Sequence, residues 1–190
     1  MASEASDDEL IERVGNGDVF AYTLLVRRYV GTIYRSAYRM LHDSCEAEDV
    51  AQESFARLWQ NGPRWKSAGA GVPGWLRRVC TNLCLDRLRK SGRWSLGEMP
   101  DIADSAISAE RLIEQEQIQE ILEDSLRALS INHRTAIVLT YFEGYSNKMA
   151  AEALEMDIKA FESLLHRARG RLGVLLSQGG LVSEDLGLLA

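Results

Sequence analysis

The sequence predicts an all-α fold built as two small helical domains joined by an acidic, flexible linker. Three observations carry that expectation. Apolar residues recur at helical spacing in segment after segment, and the segments open on Ser or Asp. Prolines number only three, and β-branched residues form few runs. Between the two sets of helices, residues 94–108 hold no apolar period and include Gly97, Pro100, Asp101 and Asp104.

The elements follow in order. Ser6 and Glu9 have the form of a capping box, and Gly15-Asn16-Gly17 stops the first short helix. Asp18 caps the second, in which Phe20, Leu24, Tyr29, Ile33, Ala37 and Leu41 recur through about His42. A third helix runs from Glu46 to Gln60 with Val50, Ala51, Phe55, Leu58 and Trp59 on one side. Pro63, Gly69-Ala70-Gly71 and Pro73 mark a loop. The fourth helix carries Trp75, Leu76, Val79, Cys80, Leu83, Cys84 and Leu88 as its stripe and ends near Gly92, closing a first domain over residues 7–93.

The second domain spans residues 109–176. Leu112, Ile121, Leu122, Leu126 and Leu129 belong to one helix, and Ala136, Ile137, Leu139 and Phe142 to the next, with Gly144 as its cap. Ser146 caps a short helix through Leu154, and Asp157 caps a long one striped by Phe161, Leu164, Leu165, Ala168, Leu172 and Leu175. A short helix, the turn Glu155-Met156-Asp157 and a longer helix have helix-turn-helix spacing. Gly179-Gly180 then breaks into a tail, residues 177–190, holding Leu181, Val182, Leu186, Leu188 and Leu189.

Composition excludes several classes. At 46% hydrophobic and 26% charged residues, the chain is too apolar to be disordered. No run approaches the ~20 apolar residues of a membrane span, and the N-terminus is acidic where a signal peptide would be basic. A cytoplasmic protein without membrane insertion is expected. Three cysteines are too few for a disulfide scaffold, and His42, His133 and His166 fall on three different elements. No metal and no cofactor are expected, and Cys80 and Cys84 read as small hydrophobes of a buried stripe. No nucleophile, metal or phosphate-loop motif supports an enzyme.

The net charge of −6 over 190 residues hides an uneven distribution. Residues 1–53 carry 5 basic and 11 acidic side chains, whereas residues 54–97 carry 9 basic ones against Asp86 alone. Residues 98–124 reverse this, with 9 acidic residues against Arg111. On charge alone, two oppositely charged helices paired with each other compete evenly with a polyanion-binding surface beside a segment that avoids or mimics nucleic acid.

Two motifs resolve the choice. Glu48-Asp49-Val50-Ala51-Gln52-Glu53-Ser54-Phe55 is followed by Trp75-Leu76-Arg77-Arg78-Val79-Cys80-Thr81-Asn82-Leu83-Cys84-Leu85-Asp86-Arg87-Leu88-Arg89. Farther on stand Leu129, Arg134, Glu143-Gly144-Tyr145-Ser146, Ala150-Ala151 and Leu165-His166-Arg167-Ala168-Arg169. In that order they resemble regions 2 and 4 of bacterial RNA polymerase sigma factors of the extracytoplasmic-function group (group 4 of the sigma-70 family). The resemblance covers roughly Asp7 to Leu176. It implies a promoter-specificity subunit that binds core polymerase and promoter DNA and is held inactive by an anti-sigma factor.

The residues support the implied roles. Asp49, Gln52 and Glu53 share one helix face by their spacing, and by resemblance dock on the clamp helices of the β′ subunit, while region 4 meets the β flap. For the −10 element the resemblance nominates Arg64, Trp65, Lys66, Arg77, Arg78, Asn82, Arg87, Arg89 and Lys90. The cations suit phosphates, Trp65 suits stacking on an unpaired base, and Asn82 aligns with a residue lining a pocket for an extruded base. Trp75 continues the apolar stripe and reads as a core anchor. For the −35 element the candidates are Lys148, Lys159, Glu162, Ser163, His166, Arg167, Arg169 and Arg171. Glu162 stands where the family commonly has a base-contacting cation, and a glutamate accepts from a cytosine amine. Leu164 replaces a frequent arginine, and Leu129-Ser130-Ile131 replaces the usual Leu-Pro. The alternative is a sigma-like decoy that sequesters an anti-sigma factor without binding DNA. A plain helix-turn-helix repressor leaves the first domain without a role.

Overall fold

The computed structural model describes residues 5–66, 69–94 and 115–181, with side chains from residue 118 in the last stretch. All regular structure among them is helical. The acidic linker beyond Trp94, Leu112, and the tail beyond Leu181 lie outside the described residues. Two compact units are distinguished, Met1–Arg87 and Leu88–Ala190.

In the first unit, α1 (Asp7–Gly15) opens on a complete capping box. The Ser6 N–H donates to Glu9 Oε2 at 2.8 Å, and the Glu9 N–H donates to Ser6 Oγ at 3.3 Å. Helix α2 (Val19–Leu41) is capped by Asp18, which accepts from the N–H groups of Phe20 and Ala21. Those backbone donors, led by Ala21, and the Arg13 guanidinium hold the Asp18 carboxyl below the ordinary carboxylate range. Asp7 accepts from both Arg28 and the Tyr29 hydroxyl, clasping α1 to α2. Burial, and then the Asp7 charge, push the Tyr29 hydroxyl up to about 12.

Phe20 was expected on the buried stripe of α2, yet it is 65% exposed. The stripe runs instead through Ala21, Leu25, Ile33, Ala37, Met40 and Leu41. One residue is about 100° of helix rotation, so a stripe through Ala21 turns Phe20 to solvent. Helix α3 (Ser44–Asn61) starts two residues before Glu46, because Asp43 accepts from the Glu46 N–H at 2.8 Å. Its end meets α1 at close range. A Cβ on Gly62 would lie 2.9 Å from Val14 Cγ1, and one on Gly15 would lie 2.9 Å from the Gly62 carbonyl oxygen. That approach seats a 3₁₀ turn, Gly62–Arg64, which delivers Trp65. Helix α4 (Gly71–Lys90) begins before Pro73, whose missing N–H costs nothing in a first turn. Val72, Leu76, Cys80, Leu83 and Cys84 are buried, and the Cys80 thiol donates to the Ile33 carbonyl at 3.6 Å.

The second unit contains α5 (Gln115–Ala128), α6 (Ile131–Ile137), α7 (Asn147–Ala153) and α8 (Ile158–Gln178). Ser130, Ser146 and Asp157 cap the last three through their side chains. Leu126, Ile137, Leu139, Phe161 and Ala168 form the core. Gly179 admits α5 closely, since a Cβ there would sit 2.5 Å from Ile121 Cγ2. Helix α6 runs on into a π-helical segment, Val138–Phe142. Residues Arg134 to Leu139 are buried in succession across this junction, so burial there follows no single stripe, and Phe142 is half-buried.

The turn between α7 and α8 places Glu155 at φ 55°, in the left-handed region. A side chain pays roughly 1–2 kcal/mol there, which glycine avoids. Glu155→Gly is therefore expected to stabilise this unit by about 0.5–1 kcal/mol after the added unfolded-state entropy. Thermal denaturation checks it, and a lower midpoint would show the turn to be unstrained.

Candidate nucleic-acid interface

The end of α3, the 3₁₀ turn and the start of α4 enclose a cleft of about 520 Å³. Trp65 and Trp75 form its aromatic wall, edge to face with centroids 5.8 Å apart and planes at 68°. Arg64, Lys66 and Arg78 line it and are exposed, and no carboxylate lines it among the described residues. An apolar wall bordered by cations suits a ligand with a flat π face and a phosphate backbone. Four of the residues expected to hold −10 DNA are thus brought together: Arg64, Trp65, Lys66 and Arg78.

The others lie elsewhere. Arg77 and Asn82 are exposed on α4 but do not line the cleft, and Asn82 sits one helical turn beyond Arg78. Arg87 is half-buried, with Nη2 3.6 Å from Glu53 Oε2. Arg89 is half-buried and Lys90 exposed at the far end of α4. Trp75, expected as a core anchor, is half-buried and forms part of the cleft wall. Helical periodicity assigned it to the stripe, but Leu76 next to it takes the buried position. Asn61 also lines the cleft and was missed, because an asparagine before Gly-Pro reads as a helix end and nothing more.

On α3, Asp49 and Gln52 are exposed, whereas Glu53 is half-buried and paired within its own unit. Its Oε1 lies 2.7 Å from Arg57 Nη2, and its Oε2 reaches toward Arg87. Beside Gln52 an apolar groove opens between α2 and α3, lined by Val26, Val30, Tyr34, Ala51 and Phe55. The polar face and this groove together are a surface for a helix with both apolar and basic residues.

In the second unit, Lys159, Glu162, Ser163, His166 and Arg167 are exposed. Their spacing of three, four, seven and eight residues places them on one face of α8. Lys148 is exposed in the first turn of α7. Arg169 and Arg171 are half-buried and fall at the two edges of that face. Leu164 is 7% exposed and belongs to the core, so it takes no place on that exposed face. Ile158, 41% exposed at the start of α8, is an apolar addition to it.

Comparison with known proteins decides the family. The model of Sigma-70 region 2 matches residues 25–94, and that of Sigma-70, region 4 matches residues 119–172. The RNA polymerase sigma-H factor of Pseudomonas aeruginosa is 30% identical over 184 residues, covering 89% of this chain and 93% of that protein. The ECF RNA polymerase sigma factor SigW of Bacillus subtilis is 30% identical over 173 residues, covering 85% and 92%. The chain is an extracytoplasmic-function sigma factor of the sigma-70 family.

This sigma factor spans 58% of the length of another relative, SigE of Mycolicibacterium smegmatis, at 30% identity. The fold of CnrH, solved in complex with the cytosolic domain of CnrY, matches with a TM-score of 0.52 at 24% identity, over 90% of this chain and 97% of CnrH. The cleft and the α2–α3 groove lie in the first unit, where the region 2 match falls. The exposed face of α8 lies within the region 4 match.

Proposed function

We propose that this sigma factor directs core RNA polymerase to stress-type promoters and melts their −10 element, with Arg64, Trp65, Lys66 and Arg78 holding the separated strand. Arg77, Asn82, Arg87, Arg89 and Lys90 extend the contact along α4. The exposed face of α8, from Lys159 to Arg167, reads the −35 element with Lys148, Arg169 and Arg171 on backbone phosphates. Asp49, Gln52 and Glu53, with the adjoining apolar groove, dock on the β′ clamp helices, and region 4 meets the β flap. Polymerase supplies the phosphoryl-transfer chemistry, and the chain contributes none of its own. The chain is proposed to act in the cytoplasm, where its polymerase and promoter partners would be met. No described helix is long and apolar enough to cross a membrane.

The paired tryptophans rimmed by cations support this reading most directly. An anti-sigma factor is proposed to hold the chain inactive. RpoE of Bartonella quintana, solved with the anti-sigma factor NepR, shares the fold with a TM-score of 0.51 at 23% identity. Glu162, an acid exposed on the reading face of α8, favours the second reading, a decoy that sequesters an anti-sigma factor.

Run-off transcription with purified core polymerase on a set of genomic promoters tests both. Transcripts are expected that depend on the chain and fall about tenfold or more when Arg64, Lys66 and Arg78 are changed to alanine. The salt dependence of binding should flatten by roughly 0.7 per single-strand phosphate contact removed. A chain that binds core polymerase yet yields no transcript on any template is the decoy.

A further inference from the structure

We propose that Glu53 is a shared counter-ion that couples the polymerase-docking face of α3 to the DNA-contacting helix α4. The proposal rests on α3 docking on polymerase and on Arg87 contacting the −10 strand. Spacing places Glu53 on the same stripe of α3 as Asp49 and Gln52. Asp49 has no ion pair to a described residue, whereas Glu53 has two. Its Oε1 accepts from Arg57 Nη2 at 2.7 Å, one turn along the same helix. Its Oε2 lies 3.6 Å from Arg87 Nη2 on α4, 34 positions farther along the chain. Arg87 has no other ionic partner among the described residues.

The two contacts differ in kind. The first has the length of a charge-assisted hydrogen bond, roughly 2.7–2.9 Å, and the second is too long to be one. Arg57 therefore fixes one oxygen of Glu53, and the other holds Arg87 by charge alone. The Glu53 side chain is 40% exposed and that of Arg87 26%, so a partner can reach both. When a cation of the clamp helices takes Oε2, the Arg87 guanidinium loses its counter-ion and is released to a DNA phosphate. Arg57 keeps Oε1 throughout and holds the carboxylate in place. In the free chain, carboxylate and phosphate compete for one guanidinium, so polymerase docking and strand binding assist each other. By linkage the factor is the same in both directions. The modest strength of partly exposed ion pairs sets it at about two- to fivefold.

The experiment titrates a fluorescein-labelled −10 single strand, taken from a promoter active in run-off transcription, with the full chain alone and with holoenzyme at saturating core polymerase. At low salt, Glu53→Gln should tighten strand binding by the free chain about two- to fivefold. The gain should shrink in the holoenzyme, where the clamp cation already occupies Glu53. Glu53→Asp keeps the charge but withdraws it by one methylene, and it should tighten free-chain binding as well. Removal of a distant negative charge would act in Glu53→Gln alone. In an Arg87→Gln background neither Glu53 variant should have an effect, the double-mutant signature of one shared contact. Core affinity of the native chain should rise by the same factor when the strand is bound, and Arg87→Gln should abolish that rise. A gain in Glu53→Gln without one in Glu53→Asp, a gain that survives Arg87→Gln, or no gain in either variant overturns the coupling. Unchanged strand affinity of the Arg87→Gln holoenzyme instead overturns the placement of Arg87 on the −10 strand, and the coupling with it.

Discussion

Trp65→Ala should weaken binding of the holoenzyme to single-stranded −10 DNA by about 5- to 150-fold, the loss of one stacked base at roughly 1–3 kcal/mol. Trp65 leaves the 3₁₀ turn in a position set by backbone packing, where Gly62 and the end of α1 admit no side chain between them. Its ring meets the Trp75 ring edge to face, which holds it half-buried with part of its surface turned to the cleft. The indole N–H is buried and makes no hydrogen bond to the described residues. Trp65→Phe, which keeps an aromatic face and discards that N–H, should therefore recover most of the affinity. The salt dependence should not change in either variant, because no charge is removed. Fluorescence titration of a labelled strand against holoenzyme checks all three points. Equal affinity for native and alanine forms would remove Trp65 from the strand-binding surface.

Phe161→Ala should cost about 3–5 kcal/mol, the range for emptying a buried phenylalanine site. Phe161 is 0% exposed and is among the largest fully buried side chains. It sits in the first turn of α8, one residue before Glu162 and two after Lys159, so it anchors the segment proposed to enter the major groove. A small domain has a total stability toward the low end of roughly 5–15 kcal/mol, so most of region 4's stability would be lost. The expected outcome is loss of −35 duplex binding together with a large drop in the melting temperature of region 4. Binding of −10 single strands by region 2 should persist. Circular dichroism melts paired with the two binding assays separate these effects. An unchanged melt would mean that α8 is not seated on the core through this side chain.

Much of the fold was legible because its signals are local. The bonds of Ser6, Asp18, Ser146 and Asp157 to the next backbone N–H groups reach only two or three residues, so residue type and spacing suffice to find them. Stripes such as Phe161, Leu165, Ala168 and Leu172 were legible for the same reason. Phe20 was misplaced because a register ambiguous by one residue rotates an apolar side chain from core to solvent. The π turn at Val138–Phe142 left no mark in the periodicity, since Ala136, Ile137, Val138 and Leu139 form one unbroken apolar run into it.

The candidate site was legible in part. Arg64, Trp65, Lys66 and Arg78 were named from charge, aromatic character and resemblance, and they do share one cleft. Asn61 and Trp75 were not assigned to it, because each has an ordinary structural explanation where it stands in the chain. Glu53 was read as a surface carboxylate, yet it is already paired with Arg57 and Arg87. A pair separated by 34 positions gives no periodic signal.

By itself, then, the sequence determined the helical class, the caps, the block of positive charge and the order of two sigma motifs. Each is a property of residue type and near-neighbour spacing. Only the tertiary structure decided which side chains share a surface. The cleft joins the end of one helix to the start of another across a loop, and Gly15 and Gly62 let α1 and the 3₁₀ turn beside it pack at backbone distance. Periodicity tells a side chain's angle about its own helix axis. The distance to a partner on another helix is set by packing.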